Sequence, residues 1–205
     1  AEWNGTIELD STEKTIKSYL MIKSTKISGI IIENTTVYLI KGVINTKTHA
    51  ANCSLYNISE KTEIKLAGRI DNNSEDTEYT LFLKSNNSSI NLNTESKNKT
   101  KFGQDLTITG KYLAFCTNGQ NQNEMSLQLE SYEHGILGGN GNENGSFEVM
   151  GYAKGDDFYL LRFSSDITYF IGSIQASSSE VLVEGTYKSG RNNGQFTFRC
   201  FRCRS

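Results

Sequence analysis

The stretch "YFIGSIQASSSEVLVEGTY", residues 169–187, sets an apolar residue two positions before and two positions after each of its glycines, Gly172 and Gly185. Residues two apart on a strand share a face, so each glycine stands where an inward side chain would otherwise be. Glycine weakens a strand interior, and its presence there marks a bend, a bulge or a close backbone approach. The polar "QASSSE" between the two runs is a turn. The stretch therefore reads as two curved antiparallel strands.

The same grammar occurs eight times, as "WNGTI", "ISGII", "IKGVI", "LAGRI", "ITGKY", "VMGYA", "FIGSI" and "VEGTY". The centres are Gly5, Gly29, Gly42, Gly68, Gly110, Gly151, Gly172 and Gly185. With 18 glycines and 36% hydrophobic residues, random placement gives roughly two such cases. These structural glycines are read as notches that a large neighbouring side chain covers, or as points where the sheet coils sharply. Plain alternating runs such as "EYTLFLK" and "DFYLLRF" lie between them, separated by turns such as "DNNSED" and "KSGRNNG". The count is about fourteen to sixteen short strands, and the fold class is all-β: an antiparallel meander, sandwich or barrel. At most a single helical turn is expected, within 94–106 or 131–140.

Gly29 to Gly42 and Gly172 to Gly185 are both 13 residues apart, and each pair precedes a cysteine-bearing strand, "NCSLYNI" and "QFTFRCF". Segments 3–57 and 149–201 thus read as distant copies of one unit, although any meander of this composition yields similar distances. The polar segment "TESKNKTKFGQD" (94–105) suggests β units at 1–97 and 98–205, the alternative being one continuous double-sheet domain.

Several features point outside the cytosol. The start "AEWNGT" fits a mature end left by signal-peptide removal. Nine N-x-S/T triplets occur, at Asn4, Asn34, Asn52, Asn57, Asn72, Asn86, Asn87, Asn98 and Asn144, where the composition alone gives roughly four. Asn86 and Asn87 overlap and are not expected to be modified together. The four cysteines, Cys53, Cys116, Cys200 and Cys203, read as two disulfides in an exported chain. The closing "CFRC" has zinc or redox spacing, but a zinc site wants a second close pair and a redox CxxC wants a helix start. No metal or cofactor is expected. A net charge of −2 offers no field for nucleic acid, and no apolar run is long enough for a helical membrane span.

Catalytic parts are sparse. His49 and His134 lack a neighbouring nucleophile motif and read as solvated loop residues. Glu75, Asp76 and Glu78, and Asp156 with Asp157, sit in turns. The segment "GGNGNEN" (138–144) approaches a calcium nonapeptide but carries Glu143 where Asp belongs, and reads as a mobile loop. Trp3 is assigned to the core, with sugar stacking as its alternative role. Arg199, Arg202 and Arg204 form a terminal basic cluster, read as solvated.

The glycine-kinked antiparallel strands resemble those of calycin-like barrels such as avidins and lipocalins. The lipocalin start is G-x-W, whereas here the tryptophan precedes the glycine, and no family signature is present. The expected function is that of a secreted or cell-surface, glycosylated, non-catalytic β protein acting through its surface as a coat, filament or adhesion module. Strand edges would mediate self-association or binding of an extracellular protein or glycan. The alternative is a calycin-like carrier of an apolar small molecule or sugar. A secreted hydrolase is the least favoured reading.

Overall fold

A computed structural model describes residues 1–72, 78–94 and 102–202. The chain divides into two compact units, Ala1–Phe102 and Gly103–Ser205. The first contains β1 (Glu2–Leu9), β2 (Thr12–Lys23), β3 (Lys26–Glu33) and β4 (Thr36–Ile44). It continues with β5 (Ala50–Asn57), β6 (Thr62–Asn72), β7 (Tyr79–Lys84) and β8 (Ser88–Thr94). The second contains β9 (Gln104–Asn118), β10 (Asn121–Tyr132), β11 (Ile136–Asn142) and β12 (Ser146–Lys154). It ends with β13 (Asp157–Phe163), β14 (Ile167–Ala176), β15 (Glu180–Ser189) and β16 (Asn192–Phe201). A single 3₁₀ turn, Glu133–Gly135, precedes β11.

Each unit is an antiparallel eight-stranded barrel in which neighbours in sequence are neighbours in space. The first closes where β1 meets β8, with Ile7 opposite Ile90 and Gly5 opposite Leu92. The second closes where β9 meets β16, with Cys116 opposite Phe196 and Ala114 opposite Phe198. Closure corrects the expected route to self-association, since a barrel leaves no open sheet edge to take a further strand.

Period-2 alternation decides which side chains fill each barrel. An eight-stranded barrel has an interior just wide enough to be packed by side chains. In the first barrel these are mainly aliphatic, including Ile7, Leu20, Ile31, Ile40, Leu81 and Leu92. The second is aromatic at its centre. The rings of Phe196 and Phe198 lie 4.5 Å apart, and Phe170 meets them at 5.2 and 5.1 Å. Outward positions of β1 and β2 carry exposed Glu2, Glu8, Glu13 and Lys17, the reverse of a lipid-facing band.

The recurrent glycines are chiefly points of close backbone approach. A Cβ on Gly5 would sit 3.0 Å from the Leu92 Cα, and one on Gly68 3.0 Å from the Leu83 Cα. Gly172 and Gly185 face one another across β14 and β15. The covering of a notch by a large side chain is seen elsewhere, at Gly141 beneath the Phe147 ring and at Gly194 beneath Tyr187.

Segments 3–57 and 149–201 span the first five strands of one barrel and the last five of the other. Their matching glycine spacing therefore reflects what barrel strands share, while the repeated structural unit is a whole eight-stranded barrel. The segment 138–144 is also corrected. Instead of a mobile loop, Gly138–Asn142 belongs to β11 and pairs with Met150–Ser146 of β12. Its glycines admit the Gln128 carbonyl and the Phe147 ring, which larger residues would exclude.

Candidate functional site

The inward register of the first barrel continues past the core to an open end. There Trp3 of β1, Leu20 and Ile22 of β2, Ile44 of β4, Ile70 of β6 and Tyr79 of β7 line a cavity of about 350 Å³. Pockets that hold small ligands start at about this size. The wall is apolar because all six side chains occupy the positions whose parity points into the barrel.

The rim is built by the turn between β4 and β5. The Asn45 Oδ1 accepts from the backbone N–H groups of Lys47 at 2.9 Å and Thr48 at 3.1 Å. The His49 N–H donates to the Asn45 carbonyl at 2.8 Å, and the Ile70 N–H donates to the His49 carbonyl at 2.9 Å. These bonds tie the turn to β6 and hold the opening in one shape.

Trp3 is 1% exposed and belongs to the core, with its ring 6.4 Å from that of Tyr79. Its Nε1–H is buried and has no hydrogen-bond partner among the described residues. An unmade buried bond of this kind costs about 1–3 kcal/mol.

Ser24, His49 and Asp71 share the rim, the residue types of a hydrolytic triad. The geometry is that of a solvated edge. His49 Nδ1 stands 3.9 Å from Asp71 Oδ1, and both side chains are nearly half exposed. Asp71 is held by Arg69, whose Nη2 and Nε donate to its two oxygens at 2.7 and 2.9 Å. Those donated bonds keep the Asp71 carboxyl below its ordinary range.

The remaining sequence candidates do not converge. His134 is exposed in the 3₁₀ turn, and Asp156 and Asp157 are exposed at the β12–β13 turn. Glu78 is exposed; Glu75 and Asp76 lie outside the described residues. Arg199 reaches Glu180 at 3.5 Å, Arg202 donates to the Thr107 carbonyl, and Arg204 lies outside the described residues. Among the described residues, no group of three or more His, Cys, Asp or Glu is placed to hold a metal.

The structure draws no disulfide at Cys53, Cys116 or Cys200, and so does not show the expected bridges. Cys116 and Cys200 lie in paired strands, but Cys116 stands opposite Phe196, four positions along β16 from Cys200. That separation is roughly 13 Å along the strand, too far for a bridge. Burial pushes the Cys53 thiol up to about 12 and, aided by Glu143, the Cys116 thiol up to about 11. Cys203 lies outside the described residues.

Of the sequon asparagines, Asn4, Asn34, Asn52, Asn72, Asn86, Asn87 and Asn144 are exposed. Asn57 is half-buried, and its Oδ1 accepts from the Glu60 N–H at 3.1 Å. Asn98 lies outside the described residues. No helix among the described residues is long and apolar enough to cross a membrane.

No family model matches the chain, and no curated protein matches it. Among solved structures, a "putative outer membrane protein" from Bacteroides fragilis is 9% identical, with 98% of this chain and 97% of that chain covered, at a TM-score of 0.32. Transferrin binding protein B from serogroup B Neisseria meningitidis is 8% identical at 0.30, covering 94% of this chain and 59% of its own. A DUF3598-family protein of unknown function from Nostoc punctiforme is 9% identical at 0.26, covering 99% and 96%. Likenesses this remote assign no activity to this chain.

Proposed function

We propose that the chain is a non-catalytic, extracellular or cell-surface binding protein whose first barrel holds a small, largely apolar molecule in its open end. The observation that carries this reading is the apolar cavity of about 350 Å³ lined by Trp3, Leu20, Ile22, Ile44, Ile70 and Tyr79. The ligand it fits is neutral, apolar and about the size of two fused rings. The wall supplies dispersion and hydrophobic contact. The exposed sequon asparagines support export and glycosylation, which intact mass before and after deglycosylation of naturally produced protein checks directly.

Action through strand edges, as in a filament or adhesion module, is the weaker reading because both sheets close on themselves. Catalysis is left out because the titratable side chains lining the cavity are His49, Asp71 and Tyr79, and Asp71 is already engaged by Arg69.

Prodan, an apolar naphthalene ketone whose emission responds to burial, tests the proposal. It should bind saturably, one molecule per chain. Trp3→Phe removes part of the apolar wall, so affinity should fall about threefold to tenfold, the worth of the contact area lost. Ile44→Lys places a charge in the wall and should abolish binding. Absence of saturable binding, or equal affinity in all three proteins, sinks the reading.

A further inference from the structure

The second barrel has an open end of the opposite chemistry. The inward-facing register runs through Ala114 to Cys116 and then to Asn118 on β9, and from Met125 back to Asn123 and Asn121 on β10. It runs from Leu160 to Arg162 on β13 and from Phe196 back through Gly194 to Asn192 on β16. Four strands thus leave an apolar core and end in amide or guanidinium groups that keep the inward parity. Together with Thr168 and Ser189 they line a cavity of about 390 Å³.

Arg162, Thr168 and Ser189 are held by contacts within the barrel. Arg162 lies over the Phe147 ring, 3.9 Å from guanidinium carbon to ring centroid, and its Nη1 donates to Glu143 Oε2 and contacts Met125 Sδ. Its Nε is buried without a hydrogen-bond partner. Thr168 Oγ1 donates to Ser189 Oγ at 3.0 Å. Tyr187 lies over Gly194, where a Cβ would come within 2.6 Å of the ring, so this glycine lets an aromatic face stand beside the amides. Phe170 supplies a second ring to the lining.

We propose that this end is a second binding site, for a neutral polyhydroxylated molecule of one or two sugar rings. Asparagine side chains present both donors and acceptors, matching hydroxyl groups that do the same. Aromatic rings accept the apolar C–H face of a pyranose by stacking. A free anion fits less well, because Glu143 already neutralises Arg162 and Asp166 adds a further carboxylate. An apolar ligand fits the first barrel, whose end carries isoleucines where this one carries asparagines.

The proposal stands apart from the reading of the first barrel and has its own test. Saturation-transfer NMR is run on the whole chain with methyl α-glucoside, methyl α-mannoside, methyl β-galactoside, N-acetylglucosamine, maltose and lactose. At least one should receive magnetisation and bind with a Kd of millimolar or below. Asn118→Leu and Asn123→Leu, on different strands, should each weaken that binding by about threefold to tenfold, the worth of one neutral hydrogen bond to the ligand. Melting followed by circular dichroism identifies a variant that fails to fold, and Asn192→Leu on β16 then replaces it. Trp3→Phe should leave sugar binding unchanged. The proposal is overturned if no sugar in the set binds, if folded asparagine variants bind as tightly as the parent, or if prodan competes with the sugar.

Discussion

Gly185→Ala offers a worked test of why the glycines stand where they do. A Cβ at this position would lie 2.5 Å from the Gly172 Cα and 2.8 Å from the Ile171 carbonyl carbon, with the carbonyl oxygen closer still. Ordinary carbon contacts sit at about 3.5 Å or more, so β14 and β15 must part by roughly 1 Å. Both close neighbours are backbone, and no side chain can rotate away. Overpacking of this kind costs about 1–3 kcal/mol, and a weakened ladder bond adds about 1 kcal/mol. The expected loss is about 3 kcal/mol, a large share of a small barrel's stability. Gly138→Ala is the control, because its Cβ would meet only the Tyr132 ring at 3.7 Å. It should change stability by no more than about 0.5 kcal/mol. The assay is guanidinium unfolding with two signals. Trp3 is the sole tryptophan and reports the first barrel, while circular dichroism reports both. Gly185→Ala should lower the midpoint of a dichroism component and leave the Trp3 transition in place. An unchanged midpoint, or equal loss in Gly138→Ala, refutes the close-approach argument.

Leu81→Ala is the converse perturbation: Leu81 is 0% exposed in the first barrel, so its truncation should cost about 2–5 kcal/mol and move the Trp3 transition. Alkylation after unfolding without reductant should find Cys53, Cys116 and Cys200 as thiols, and a bridge at any of them contradicts the structure. In the native state at pH 8, Cys53 should react at less than about a hundredth of its unfolded rate, since the thiolate is the reactive form. Because folding raises that thiol from 9.0 to about 12, its contribution to stability is full below pH 9 and is lost as pH rises towards 12. A stability profile flat across that window, or rapid native alkylation, contradicts the burial of Cys53.

Local pattern carried much of the fold. Alternation and the eight notched glycines mark the strands, since both are properties of residues two apart. Closure was not legible, because it depends on pairs such as Ile7 with Ile90, far apart in sequence and each unremarkable alone. The same limit hid both open ends. Trp3 stood out, but its partner Tyr79 arrives from β7, and the apolar wall emerges only when five strands are set around one axis. One segment misled for a physical reason. The glycine-rich 138–144 has the composition of a loop, yet it is a strand because β12 supplies Phe147 to occupy the space at Gly141. The even cysteine count left the pairing open, and strand register removes one choice by putting Cys116 and Cys200 out of reach of each other. A usable signal was present: asparagines at 118, 121, 123 and 192 keep the parity of the core residues beside them.

Every binding claim depends on each half of the chain closing on itself. Cross-strand NMR contacts between the first and last strands of each half test this most directly. The account expects backbone contacts joining Ile7 to Ile90 and Cys116 to Phe196, with slowly exchanging ladder amides on both sides of each seam. Fast exchange along β1 and β8 with no contact between them, or a seam joining strands of different halves, would contradict it.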